Sequence, residues 1–315
     1  MPPAPDPSFV AACGALCGFR VIGAPLAARK AQLLAGEVDG RPAIAKRVAP
    51  RFVDGCEAPP NPVWAWYFAR EVAIYRAFAA RPPVLRVPQL IAATEELLVI
   101  ERLPGEPVAR RRRPDAACEP AVVAALLATG PALAAWQGTL PALPPPPDVR
   151  AQLRSRLLED PTAPITWITS GLVRAASRGL VDDEVAKRAV AAVEAYPATA
   201  IRHGDLLLRN VIGDGDRIGL VDWECAGTYV ADWDLALLST QLAPAARAQI
   251  EAQIEAQIEA ELPALAGDRR RAFFALTVFA LVRELAFLDA FRQPADAPAR
   301  VALRHELARV SAALG

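Results

Sequence analysis

Four polar residues stand in fixed order within one short stretch: His203, Asp205, Asn210 and Asp222. They lie in Ile-Arg-His-Gly-Asp-Leu-Leu-Leu-Arg-Asn-Val-Ile, a Gly-Asp-Gly-Asp turn, and then Arg-Ile-Gly-Leu-Val-Asp-Trp-Glu, which ends at Glu224. A carboxylate, an amide five residues on and a second carboxylate after a hairpin are the groups that phosphoryl transfer from a magnesium–nucleotide complex uses. Asp205 reads as the base, or the orienting group, for an attacking hydroxyl. Asn210 offers an amide oxygen that can bind Mg²⁺ without adding charge. Asp222 closes the strand Ile218–Val221 and would be the main anionic metal ligand, since Mg²⁺ takes few protein ligands beside phosphate oxygens and water. His203, two residues before the base, reads as a loop anchor.

Two upstream residues fit the same chemistry. Lys46, in Ala43-Ile44-Ala45-Lys46, shares a strand face with Ile44 and Val48. An ammonium on an apolar face needs a partner or a ligand phosphate. Glu71 falls inside the aromatic stripe of Trp64, Tyr67, Phe68, Tyr75 and Phe78 and needs a cation in turn. A Lys46–Glu71 pair would hold the lysine against the α- and β-phosphates of ATP.

These groups require rigid elements to present them. Ala31–Val38 and Pro42–Val48 are short apolar runs joined at Asp39-Gly40, a hairpin signal. Val63–Ala80 has helical spacing, and Leu97–Ile100 reads as a buried strand. Pro104-Gly105 marks a boundary between a strand-rich part and a part with long alanine-rich helical segments, such as Ala121–Gly138 and Val181–Tyr196. This divides the chain into 1–103, a nucleotide-binding lobe, and 104–315, a lobe carrying the catalytic loop, the metal site and substrate-binding helices. Asn210–Ile212 is expected to pair with Arg217–Asp222. Ile250, Ile254, Ile258 and Leu262 form a drifting apolar stripe expected to pack on the body.

Composition excludes more than it selects. The chain has 315 residues, 53% hydrophobic, with 35 basic and 35 acidic side chains. No pull toward nucleic acid or an anionic membrane follows. Five cysteines and two histidines match no zinc pattern. The run Phe9–Phe19 is too short for a membrane span and lacks the basic segment of a leader. A cytoplasmic protein with reduced thiols is expected.

Taken together, these motifs resemble the aminoglycoside phosphotransferase and choline kinase-like family of small-molecule kinases over roughly Arg20–Leu238. The resemblance implies an α+β, bilobal protein-kinase-like fold, with a small β-rich N-lobe holding one main helix and a larger, mostly helical C-lobe. It implies ATP, Mg²⁺ and a small-molecule hydroxyl as phosphate acceptor. Asp205 would be catalytic, Asn210 and Asp222 the metal ligands, Lys46 the phosphate-binding lysine and Glu71 its partner. Leu98–Pro107 resembles the family's hinge, where backbone groups near Glu101 to Leu103 would meet adenine. Asp234, in Ala-Asp-Trp-Asp-Leu-Ala, would be structural.

The sequence departs from the pattern in two places. Gly23–Lys30 holds a single glycine where a phosphate loop would be richer, and Leu206-Leu207-Leu208-Arg209 is unusually apolar. The leucines leave room for a nucleotide-binding pseudokinase that acts as a scaffold. A protein or lipopolysaccharide kinase is the other alternative. Arg209 could approach the γ-phosphate. Between Pro104 and Ala200 there are ten acidic and eleven basic residues, so no acidic excess marks a polycation as the acceptor. Arg110–Arg113 reads as a solvated charge run.

Overall fold

The computed structural model describes residues 6–22, 31–53, 56–58, 60–109, 120–155, 157–196, 198–215, 217–259, 263–290, 294 and 296–314. Both the Gly23–Lys30 segment and the Arg110–Arg113 run lie outside these residues. The first part of the chain holds α1 (Pro7–Cys17), β1 (Arg20–Val21), β2 (Ala31–Val38), β3 (Arg41–Val48), β4 (Arg51–Val53), β5 (Cys56–Ala58), α2 (Pro62–Ala80), β6 (Leu90–Ala93) and β7 (Leu98–Glu101). Then come β8 (Glu106–Pro107), α3 (Pro120–Ala134), α4 (Pro147–Ser155), α5 (Pro164–Ser177) and α6 (Asp183–Ala195). The remainder is β9 (Thr199–Arg202), β10 (Val211–Asp214), β11 (Arg217–Leu220), β12 (Gly227–Val230), α7 (Trp233–Ser239), α8 (Pro244–Glu259), α9 (Pro263–Ala290) and α10 (Pro298–Ala313). The fold is the α+β, protein-kinase-like one that the motifs imply.

The first sheet runs β1-β2-β3-β7-β6, antiparallel throughout. Its central hairpin turns at Asp39 and Gly40, both at positive φ (50° and 76°). That is the backbone an Asp-Gly hairpin turn adopts. The register pairs Lys46 with Leu33 on one side and Leu98 on the other. Alternation along β3 then sorts its residues by face. Ala43 and Ala45 are fully buried with Phe9 and Cys13 of α1, while Ile44 and Val48 pack on the main core, the face that Lys46 shares.

Helix α2 starts where Asn61 caps it, accepting from the Val63 amide at 2.9 Å. It is tied to later parts of the chain by three bonds to carbonyls. Trp66 Nε1 donates to Leu143 (3.1 Å), the Tyr67 hydroxyl to Glu159 (2.6 Å) and Arg70 to Ala226 (2.5 Å). Glu71 therefore sits on a helix with fixed height and rotation.

The pairs β9/β12 and β10/β11 frame the chemical segment, and β8 extends the second. Residues 203–210 join β9 to β10, and residues 221–226 join β11 to β12, so the two loops emerge side by side. The Val221 amide donates to the Asn210 carbonyl at 3.0 Å. Beneath them α9 runs through the core. Its Phe279 packs on Trp167 (4.9 Å between centroids) and Trp233 (5.8 Å). Ile250 and Ile254 of α8 are buried in the same core. No helix among the described residues is long and apolar enough to cross a membrane.

Candidate active site

Lys46 lies at the centre of a carboxylate cluster. Its Nζ is 2.6 Å from Glu71, 2.9 Å from Asp222 and 3.7 Å from Glu224. The expected Lys46–Glu71 pair forms, with two further acids beside it. Burial works against the lysine's charge, but Asp222, Glu71 and Glu224 together hold its pKa well above the ordinary value. Burial is also the main force on Glu71; it and the neighbouring carboxylates push that group up to about 7, against the pull of Lys46. Three carboxylates thus surround one ammonium, and the Arg209 guanidinium also acts on Asp222.

Asp222 follows β11 in the left-handed region (φ 65°, ψ 57°), unusual for a residue with a side chain. This turns the chain out of the strand at the point where its carboxylate reaches Lys46.

Asp205 sits in the adjacent loop, 7% exposed. The loop has a firm underside. Asp234 accepts the amides of His203 (2.7 Å) and Gly204 (2.9 Å), and Trp233 Nε1 donates to the Gly204 carbonyl (2.8 Å). Burial raises the pKa of Asp234, although Arg202 and the two amides favour its charged form. Gly204 has φ 84°, and a Cβ there would stand 2.3 Å from the Cys225 carbonyl oxygen, so the position requires glycine. His203 is fully buried and donates from Nε2 to the Val221 carbonyl (3.0 Å), with its ring against Trp223. It joins the two loops and offers nothing to the cleft.

The three leucines after Asp205 are core residues, each no more than 1% exposed. Gln241 holds their backbone, accepting from the Leu208 amide at 3.0 Å. Their apolar character serves packing in the main core. Asn210 donates its Nδ2 to the Asp205 carbonyl (2.9 Å), which leaves its amide oxygen as the group available to a metal. Arg209 meets Asp205 Oδ2 at 3.4 Å.

The segment expected to meet adenine follows β7. The Glu101 amide donates to Gln89 and the Arg102 amide to Pro42 (both 2.9 Å). The Leu103 amide has no backbone acceptor among the described residues, so it can serve a ligand. The Glu101 side chain points elsewhere and accepts from the Gln89 amide at 3.2 Å.

Three residues of this region escaped sequence reasoning. Glu224 stands two places after Asp222, and that spacing was its only signal. Arg283 of α9 is buried and bonds Asp205 Oδ1 at 3.0 Å as well as the carboxylate of Glu159. Its signal was an Arg-Glu pair interrupting the apolar run from Phe273 to Phe287. Glu159 had no signal.

Residues 28–274 match the profile of the phosphotransferase enzyme family, and the chain belongs to that family. Among solved structures it resembles a thermostable mutant of aminoglycoside phosphotransferase APH(4)-Ia in complex with ADP and hygromycin B, at 16% identity, 96% coverage of both chains and a TM-score of 0.55. Macrolide 2'-phosphotransferase MphH from Brachybacterium faecium aligns at 17% identity over 98% of each chain, with a TM-score of 0.53. An ethanolamine kinase from Plasmodium vivax aligns at 12% identity over 93% of this chain and 81% of its own, with a TM-score of 0.52. At these identities the likeness is one of fold. A search of curated proteins by sequence gave no match.

Proposed function

We propose that this protein transfers the γ-phosphoryl group of ATP to a hydroxyl of a small molecule, in line and without a phosphoenzyme. The observation that carries the reading is the convergence on one cleft of Lys46, Glu71, Asp222, Asn210 and Asp205 from separate elements. A second support is the membership of a phosphotransferase family, with small-molecule kinases among its structural neighbours.

The residues present fit a magnesium nucleotide. The excess of carboxylates around Lys46 favours a divalent cation, and Asp222 and the Asn210 amide oxygen would hold it. That ion would neutralise charge on the phosphates. Lys46, kept in place by Glu71, would bind phosphate oxygens. The Leu103 amide and the Glu101 carbonyl would take the adenine edge. Asp205 would accept the proton of the acceptor hydroxyl, and the rigid loop beneath it would set its aim. We divide the lobes at Leu103, as 1–103 and 104–315, so that the cleft lies between them. The thiols of Cys13 and Cys17 and the use of ATP fit the cytoplasm.

The test is ADP release from Mg-ATP with a panel of amino sugars, macrolides, amino alcohols and sugars, followed by mass detection of the phosphorylated compound. Phosphate on a panel member supports the reading. ATP turnover that places phosphate only on protein would replace it with a protein kinase.

A further inference from the structure

Asp205 is held by a buried ionic relay that begins outside the motif. Arg283 presents Nη2 to Asp205 Oδ1 at 3.0 Å and to a Glu159 carboxylate oxygen. All three side chains are largely shielded: 8% exposed for Arg283, 5% for Glu159 and 11% for Asp205. Two carboxylates this close and this dry would repel each other strongly, and one guanidinium between them relieves both. Burial alone would weaken that guanidinium's charge, but Glu159 and Asp205 hold its pKa above the ordinary arginine value.

The relay is fixed at both ends. Phe279, one turn before Arg283 on α9, is locked among Trp167 and Trp233. Glu159 gives its backbone carbonyl to the Tyr67 hydroxyl at 2.6 Å, and Tyr67 stands one turn before Glu71 on α2. The second oxygen of Asp205 is met at 3.4 Å by Arg209, whose side chain is 41% exposed. A contact that long and that open is one an incoming hydroxyl can displace.

We infer that Arg283 is a positioning residue for Asp205: it clamps Oδ1, so that Oδ2 alone is turned to the acceptor. The inference rests on the reading of Asp205 given above. Glu159 balances the clamp's charge, and through Tyr67 one helix sets the relay together with the partner of Lys46. Arg283 serves both carboxylates through one nitrogen, Nη2, and arginine suits the place because its delocalised charge persists on burial where a lysine ammonium gives up its proton more readily.

The test compares the full-length wild type with Arg283→Lys, Arg283→Met and the double variant Arg283→Met/Glu159→Gln. The double variant removes one of the two facing carboxylates, so that folding is not lost with the arginine. ADP release from Mg-ATP is followed with an acceptor from the panel, or with water as acceptor, and ATP affinity is read by calorimetry. Arg283→Met and the double variant should lose about 100-fold in kcat, the scale of a misplaced catalytic group. KM for ATP should stay within about threefold, and Arg283→Lys should recover about tenfold of the loss. A double variant with the wild-type kcat overturns the inference and leaves the phosphotransferase reading standing, as does a defect confined to KM for ATP. A wild type that neither binds nor turns over Mg-ATP overturns both.

Discussion

The two sides of the cleft are built on different electrostatic plans. On the phosphate side, the Lys46 ammonium sits among three carboxylates, Glu71, Asp222 and Glu224, and the Arg209 guanidinium also acts on Asp222. On the acceptor side, the Arg283 guanidinium bridges Asp205 and Glu159, with Glu284 also acting on it, and Arg209 meets the outer oxygen of Asp205. Under the proposed function, the acid-rich wall would take the metal with its polyanion, and the wall where arginines hold Asp205 would aim that carboxylate at a neutral hydroxyl. The difference also shows why charge counts along the sequence say little here, since both plans disappear in a total of 35 against 35.

The comparison can be pushed hardest at the base. Asp205→Asn keeps the shape but cannot take a proton, and should lower kcat by about 100- to 10,000-fold with ATP affinity little changed. Steady-state ADP release paired with calorimetry checks this, and turnover near the wild-type rate would mean that the motif had been misread. The scaffold under the base comes next. Asp234→Ala leaves the buried amides of His203 and Gly204 without their acceptor and should cost about 2–4 kcal/mol of stability. Urea unfolding measures that cost; a loss too small to detect would remove Asp234 from the account of how the loop is held.

The smallest effect concerns pH and the phosphate-side cluster. Glu71 is raised from 4.5 to about 7, chiefly by burial and then by its carboxylate neighbours, so the folded state holds this proton more tightly than the unfolded chain. Its contribution to stability is full below the unfolded pKa and is lost as pH rises toward 7. The metal-free wild type should therefore lose about 1–3 kcal/mol relative to Glu71→Gln between about pH 5 and 7.5. Parallel stability profiles for the two proteins would show that the cluster is not crowded with charge.

What the sequence revealed follows from range. The hairpins at Asp39-Gly40 and after Asn210 were legible because turn chemistry and alternation are local. Glu71 was legible because a carboxylate inside an aromatic stripe breaks a helical pattern. The order Lys46, Glu71, Asp205, Asn210, Asp222 carried the cleft because each type has one evident use in phosphoryl transfer. The short strands β6, β8, β9 and β12 gave no signal, since two to four residues are too few to show a period. Arg283 and Glu159 were hidden for a different reason. They lie 78 residues after and 46 residues before Asp205 in the chain, and only the packing of α9 and the 157–163 loop brings them together. The packing role of the triple leucine was hidden for the same reason, since Gln241 and the core that take it up come from distant parts of the chain.

The phosphate side is proposed as a metal–nucleotide site. The direct measurement is calorimetric titration of ATP into the wild type and Asp222→Ala, each with and without Mg²⁺. We expect binding by the wild type that strengthens by about tenfold or more with Mg²⁺, and an Asp222→Ala variant in which that gain is gone. ATP binding of equal strength in all four titrations, or none in the wild type, would contradict the assignment of this cleft.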